Sequence, residues 1–343
     1  MYVVRPVETA DIPALESLAA VTIPGLHTLP RSRDKIVMAV ERSLASMAAQ
    51  VDIPSEESYL FVLESVEERR ICGTAAIFAS AGSNGTYFSF RNDVIQQVSR
   101  DLNICHSVHA LTLCSELTAY SHLSSFYVAP EVQKGPEAAL LSRSRLLYAA
   151  QHPRRFGDRF FVPLAGVTDD DGQSPFWNAV GRKFFKMDFL DAERVIGGAR
   201  NRTLIVELMP HYPVYVPLLP GDAQAAMGQI HPSGELAFNL LTAEGFEADE
   251  YIDIFDGGPI LQAHKHALRT FTSSQKLRVR TGVARTREGP LFNYAVSNDD
   301  SAAFRAVAIP CPDLEGCDAV ALSPEIQDIL RVAEGDSVTC VRI

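Results

Sequence analysis

A chain of 343 residues exceeds what one hydrophobic core usually serves, so two or three domains are expected. Its 47% hydrophobic and 21% charged residues are those of an ordinary globular protein, and no apolar run is long enough to cross a bilayer. The net charge of −11 argues against a nucleic-acid surface, which needs clustered Lys and Arg, yet leaves room for one basic pocket.

In chain order, Val3-Val4 reads as a first strand, with Arg5-Pro6 after it. The opening segment lacks the basic and apolar parts of a signal peptide. Thr9 or Asp11 is placed to cap a helix carrying Pro13, Leu15, Leu18 and Ala19. A second helix is expected over Arg31–Ala49, with Ile36, Val37, Val40, Leu44 and Met47 on one stripe. Tyr59–Glu64 and Ile71–Phe78 read as a strand pair, and Ala81–Gly85 as a loop before an extended Tyr87–Phe90. His122–Pro130 is a strand, Glu137–Ala150 a helix, and Arg159–Ala165 a buried strand. The tail predicts strands at Leu277–Arg280, Phe292–Val296, Phe304–Ile309 and Ser337–Ile343, hence a small β domain, barrel-like, from about residue 273. The six cysteines are scattered without a C-x-x-C pair, which predicts reduced thiols in the cytoplasm.

One pattern occurs twice: a short helix, a glycine, aromatic residues and a strand. The copies are Ser174–Phe189, around Gly181, and Ala237–Phe255, around Gly245. A glycine there takes the left-handed backbone that stops a helix, and the following aromatic packs back on the core. Acyl-CoA N-acyltransferases end their fold this way. The expectation is an α/β (α+β) chain of tandem acetyltransferase-like (GNAT-type) halves with mixed sheets, residues 1–195 and 196–272, before the β domain of 273–343.

The strand, tight loop and helix start over Phe126–Leu140 make a ready anion site, because the first helical amides are unpaired and the dipole end is positive. Acetyltransferases hold the coenzyme A pyrophosphate at this place with Gln/Arg-x-x-Gly-x-Gly/Ala, where this chain has Gln133-Lys-Gly-Pro-Glu-Ala138. Pro136 removes an amide donor and Glu137 adds negative charge, so a plain strand-to-helix turn with Pro136 at its first position fits equally. His231, before Pro232, reads as a polar loop residue or as a proton-transfer group, with Ser233 as the cap of the next helix. Arg91-Asn92 reads as an ordinary surface pair or as a carboxylate clamp. Cys105 and Cys114 lack an activating context and read as small buried hydrophobes.

Four blocks, Ser174–Phe185, Glu207–Pro220, Gly228–Pro232 and Tyr251–Pro259, together with Arg5-Pro6 and Asp11, resemble the arginine N-succinyltransferase family over nearly the whole chain. Ser89–Asn92, Ser125–Val128 and the Pro217–Pro220 stretch resemble its alpha-type members in the two-subunit arginine/ornithine succinyltransferase. The resemblance implies transfer of succinyl from succinyl-CoA to the α-amino group of L-arginine, or of ornithine, in arginine catabolism. It implies no permanently bound cofactor and no metal, with succinyl-CoA as co-substrate and a homologous beta subunit, or self-association, as partner. The family's proton donor falls on His231 and its succinyl-CoA contact on Phe126. Val128, Lys134 and Gly135 follow as coenzyme contacts. Arg91 and Asn92 are the candidates for the acyl carboxylate, and Glu207, Asp253 or Asp256 for the guanidinium. Single-chain members carry a glycine and an arginine where this chain has Pro136 and Ala165, which leaves a second reading: a non-catalytic or regulatory subunit that completes a partner's site.

Overall fold

The computed structural model describes residues 1–21, 30, 32–83, 85–169, 171–196, 207–282 and 290–343. Arg31 and Asn84, used in the helix and loop expectations above, lie outside them.

One mixed sheet organises the chain. Its first part runs β1 (Tyr2–Pro6), β2 (Ser58–Ser65), β3 (Arg70–Phe78), β6 (Ser121–Val128) and β7 (Arg159–Pro163). β10 (Pro259–His264) and β9 (Glu247–Ile252) follow beside β7, then the long hairpin of β4 (Ser89–Ser99) and β5 (Ile104–Cys114), and the short β8 (Val214–Tyr215). β2 is apolar almost throughout because both faces are covered. Tyr59, Phe61 and Leu63 join one core, and Leu60 and Val62 join another under α1 (Ile12–Val21) and α2 (Arg33–Ala48). α2 is capped by the Ser32 hydroxyl. Of its expected stripe Ile36, Val40 and Met47 are buried, whereas Leu44 is exposed and Ser43 and Ser46 take the buried positions. Those two hydroxyls accept from the backbone of Leu60 and Ser58, which lets polar residues sit against the sheet.

On the other face lies α3 (Pro136–Gln151), buried almost all round, with Tyr148 against Tyr59, Phe61, Phe156 and Phe304. Phe304 leads into the C-terminal strands, ordered β14 (Ala319–Leu322), β11 (Gln275–Thr281), β15 (Ser337–Arg342), β12 (Phe292–Asn298) and β13 (Ala306–Cys311). They surround a core of their own with Leu277, Val279, Val296 and Val338, and β13 pairs with β1 through Val3↔Val307 and Val4↔Ala306. The tail therefore continues the main sheet, and Ala319–Leu322 and the helix Pro324–Leu330 are elements that the strand reading passed over.

The doubled pattern is realised once. In the second copy the helix Glu235–Glu244 stops at Gly245, whose φ of +114° is left-handed, Phe246 is buried, and β9 follows. The first copy is three short helices with no strand among the described residues up to Ile196: α4 (Pro175–Ala179), α5 (Gly181–Phe185) and α6 (Phe189–Ile196). Gly181 opens α5 rather than ending a helix, and its missing side chain makes room for the Trp177 ring. The left-handed turn falls on Lys186, at φ +57°. The expected division at residue 195 likewise does not separate two sheets, since β9 and β10 lie in the same sheet as β1 to β7.

Candidate active site

β6 and β7 are parallel, but their pairing covers only Ser121↔Phe160 and His122↔Phe161. Beyond it the strands diverge, and a cavity of about 500 Å³ opens between them, bounded by α3 and by Pro232–Ala237. Phe126 and Val128 line one wall, Leu164 and Ala165 the other. On the β6 wall the register with β3 slips, so that Ser125 and Phe126 lie between the pairs Ala76↔Ser124 and Thr74↔Tyr127. Such a bulge leaves a residue out of the ladder and re-aims its neighbours. Ser125 is buried with φ +53°, a left-handed backbone that costs a non-glycine residue about 1–2 kcal/mol. The Thr74 hydroxyl holds it by donating to the Ser125 carbonyl at 2.9 Å.

His231 stands directly before the cavity residues Pro232 to Gly234. Its backbone N–H donates to the Ala165 carbonyl at 2.8 Å, and Ile230 bridges to Gly166. That crossing is pinned by the buried Asp256, whose two carboxylate oxygens accept 2.8 Å bonds from the Gly166 and Gly258 amides. Neither glycine tolerates a β-carbon: one on Gly166 would sit 2.6 Å from the Asp256 carbonyl, and one on Gly258 would run into the Leu164 carbonyl. Ser233 does not cap the helix as expected. Instead the His231 imidazole caps the turn, with Nδ1 accepting from Ser233 N–H at 3.2 Å and 2.7 Å from its hydroxyl. With Nδ1 accepting, the proton of the neutral ring belongs on Nε2, the orientation of a donor.

The loop before α3 has Gln133 in the cavity wall, its amide donating to the Val128 carbonyl at 2.8 Å. Lys134 and Gly135 lie just outside, at the exposed helix start. Pro136 occupies the first helical position, and Gly135 gives space to the Glu137 carboxylate, which a β-carbon there would meet. The remaining expected site residues are elsewhere. Arg91 and Asn92 are on β4, three strand spacings or about 14 Å across the sheet from β7. Arg91 is tied to Asp93 at 2.7 Å and to Glu116, and these hydrogen bonds hold its guanidinium charged. Asn92 is 3.0 Å from His109. Glu207 is exposed and Asp253 is buried, with one oxygen accepting from Phe255 N–H. Cys105 is exposed on the hairpin rather than buried.

One cavity residue had no part in the expected site. Arg145 on α3 is 1% exposed, and burial alone pushes its guanidinium down to about 9. Leu141, Arg145 and Tyr148 share one buried helix face, so the signal was a cation in a core position of the 3–4 spacing.

The sequence profile described as "Arginine N-succinyltransferase beta subunit" matches residues 2–270, and that of its C-terminal domain matches residues 275–342. The chain is 44% identical over the full length of both proteins to "Arginine N-succinyltransferase subunit alpha" of Pseudomonas aeruginosa. It is 35% identical to the "Arginine N-succinyltransferase" of Yersinia pestis, over 100% of this chain and 98% of that one. With the subunit beta of Pseudomonas aeruginosa it shares 34%, over 99% and 97% of the two chains. The solved structure of arginine/ornithine succinyltransferase subunit AI from Pseudomonas aeruginosa superimposes with a TM-score of 0.89 at 42% identity, covering 100% of this chain and 98% of that one. The chain belongs to the arginine N-succinyltransferase family.

Proposed function

We propose that this chain is an alpha-type succinyltransferase subunit that moves succinyl from succinyl-CoA to the α-amino group of L-arginine in the cytoplasm. The observation that carries the reading is the cavity between the diverging strands, with a bulged β6 on one side and the His231 turn on the other. The thioester lies along β6 at Phe126 and Val128, where strand amides stabilise the oxyanion of the tetrahedral intermediate. The amine attacks the thioester carbonyl carbon, the C–S bond breaks, His231 Nε2 gives a proton to the departing thiolate, and the ring regains one from the nitrogen as the amide forms. Lys134 and Gly135 meet the coenzyme phosphates at the helix start. The single helix-glycine-aromatic-strand ending at Gly245 supports one acetyltransferase-like unit over 1–272. The gap between the two profile matches, 270 to 275, supports a separate β module over 273–343.

A second reading, a subunit that completes a partner's site, is favoured by Pro136 and by the Glu137 carboxylate over the first turn of α3. A homologous beta subunit or a second copy finds apolar surface on the hairpin, where Val94, Val98, Leu102 and Ile104 are 54%, 67%, 70% and 45% exposed. The test is coenzyme A release from succinyl-CoA with arginine or ornithine, by the chain alone and with the beta homologue. His231→Ala should lower kcat by about 10²- to 10⁴-fold in the active form. Unchanged activity would remove His231 from the chemistry, and activity only in the beta homologue would establish the second reading.

A further inference from the structure

Two arginines of α3 are buried, and they differ in what they meet. Arg143 is 2.7 Å from the buried Glu244 carboxylate and donates to the Arg342 carbonyl, tying α3 to the Glu235–Glu244 helix and to β15. Arg145 has no carboxylate partner among the described residues. Its bonds all go to neutral oxygens, and two are long: the Ser142 carbonyl at 3.3 Å and the Ser124 carbonyl at 3.5 Å, beside the Ser142 hydroxyl at 3.1 Å. Of five guanidinium N–H groups three are used, and none is neutralised. A buried cation without a counter-ion is costly enough that folded proteins pair it or bind an anion to it. It also lines the cavity, with its guanidinium 5.3 Å from the centre of the Phe126 ring and its Ser124 contact at the edge of the bulge.

We propose that Arg145 is a specificity residue that receives the distal carboxylate of a dicarboxylic acyl group, so that this chain selects a succinyl thioester over a monocarboxylic acyl thioester of the same length. The proposal rests on the transferase reading and names the acyl selectivity of that site. Coenzyme phosphates are the competing anion, and position separates the two. Arg145 is nine residues beyond Pro136, about 13 Å along the helix from the amides that face a phosphate. It is instead beside Ser124 and Phe126, where the thioester carbonyl would lie, and a succinyl carboxylate extends about two carbon bonds past that carbonyl's neighbour. Arg91, already held by Asp93 and Glu116, is both neutralised and remote.

The test compares succinyl-CoA with butyryl-CoA, which has the same four carbons without the carboxylate, in the full-length chain assembled with whatever partner turnover requires. The wild type should favour succinyl-CoA in kcat/KM, and Arg145→Met should cut that value about 10- to 100-fold while leaving butyryl-CoA use unchanged. Arg145→Lys should recover part of the preference. A wild type that uses both thioesters equally, or a variant that loses both equally, would overturn the proposal. Calorimetric binding of each thioester to the wild type, without arginine, needs no variant to fold and no turnover. Preferential binding of succinyl-CoA in a chain that transfers nothing sinks the transferase reading alone, whereas equal binding sinks the role of Arg145 alone.

Discussion

Asp256→Asn tests whether one buried carboxylate positions the histidine. Both oxygens accept 2.8 Å bonds, from Gly166 and from Gly258. Asn keeps one acceptor and turns an amino group toward the other backbone N–H, so one charge-assisted bond is replaced by two facing donors. The loss is about 3 kcal/mol, the upper part of the range for hydrogen bonds to charged groups. The loosened segment is the one whose Ala165 carbonyl holds His231 N–H at 2.8 Å. A shift of about 1 Å at a group in the chemistry costs up to about 10²-fold, so under the role proposed for His231 kcat should fall by about 10- to 100-fold while KM for succinyl-CoA changes little. Urea unfolding followed by circular dichroism gives the stability change, read as a lower midpoint at constant slope. Thiol release at saturating arginine gives kcat. A variant with the wild-type urea midpoint and wild-type kcat would refute the positioning argument.

The other two predictions concern the core and pH. Gly181→Ala drives a methyl group into the Trp177 ring, so despite better helix propensity the variant should lose about 1–3 kcal/mol. Trp177, the sole tryptophan, is fully buried and donates to the Met187 carbonyl, so its emission should shift to the red, and unchanged emission and midpoint would count against this packing. Burial, and then the nearby Arg155, push the His152 imidazole down to about 4. Between pH 6.5 and 4 the unfolded chain binds a proton there that the native chain refuses, so stability falls as pH falls through that window and is unaffected above it. After discounting for the partly exposed residue the effect is about 1–2 kcal/mol. His152→Gln should flatten that part of a urea-midpoint against pH curve, and an unaltered slope would contradict it.

What was legible depended on whether the cause was local. β2 and β3, α3 and the Gly245 ending carry their reasons in adjacent residues: apolar runs, a proline at the first helical position, a glycine before Phe246. Gly181 shows the limit, because its cause is the ring of Trp177 and not a turn, and the left-handed residue five positions later is a lysine. The hairpin β4–β5 was missed beyond Phe90 because it projects both polar and apolar side chains, such as Gln96 and Val98, into solvent, so no core imposes a period of two. Pairing of β13 with β1, across nearly the whole chain, has no local signature at all. Arg91 follows an aromatic strand, which is the local signal of a clamp, yet its two carboxylates come from Asp93 beside it and from Glu116, just after β5 in the chain.

The two ends of the α3 argument bear on each other. A helix start is an anion site through unpaired amides and a positive dipole end, and here Pro136 removes one amide while Glu137 brings a carboxylate of the chain itself. A phosphate arriving there must displace that carboxylate, so the start of α3 contributes little net attraction. The cation with no carboxylate partner among the described residues is instead in the helix middle, at Arg145, inside the cavity and at the bulge. Charge recognition is therefore shifted from the coenzyme, common to all acyl donors, toward the acyl group, in which the donors differ. A site arranged this way gains selectivity among thioesters at the expense of general coenzyme affinity, which suits a chain that is to transfer one dicarboxylic acyl group.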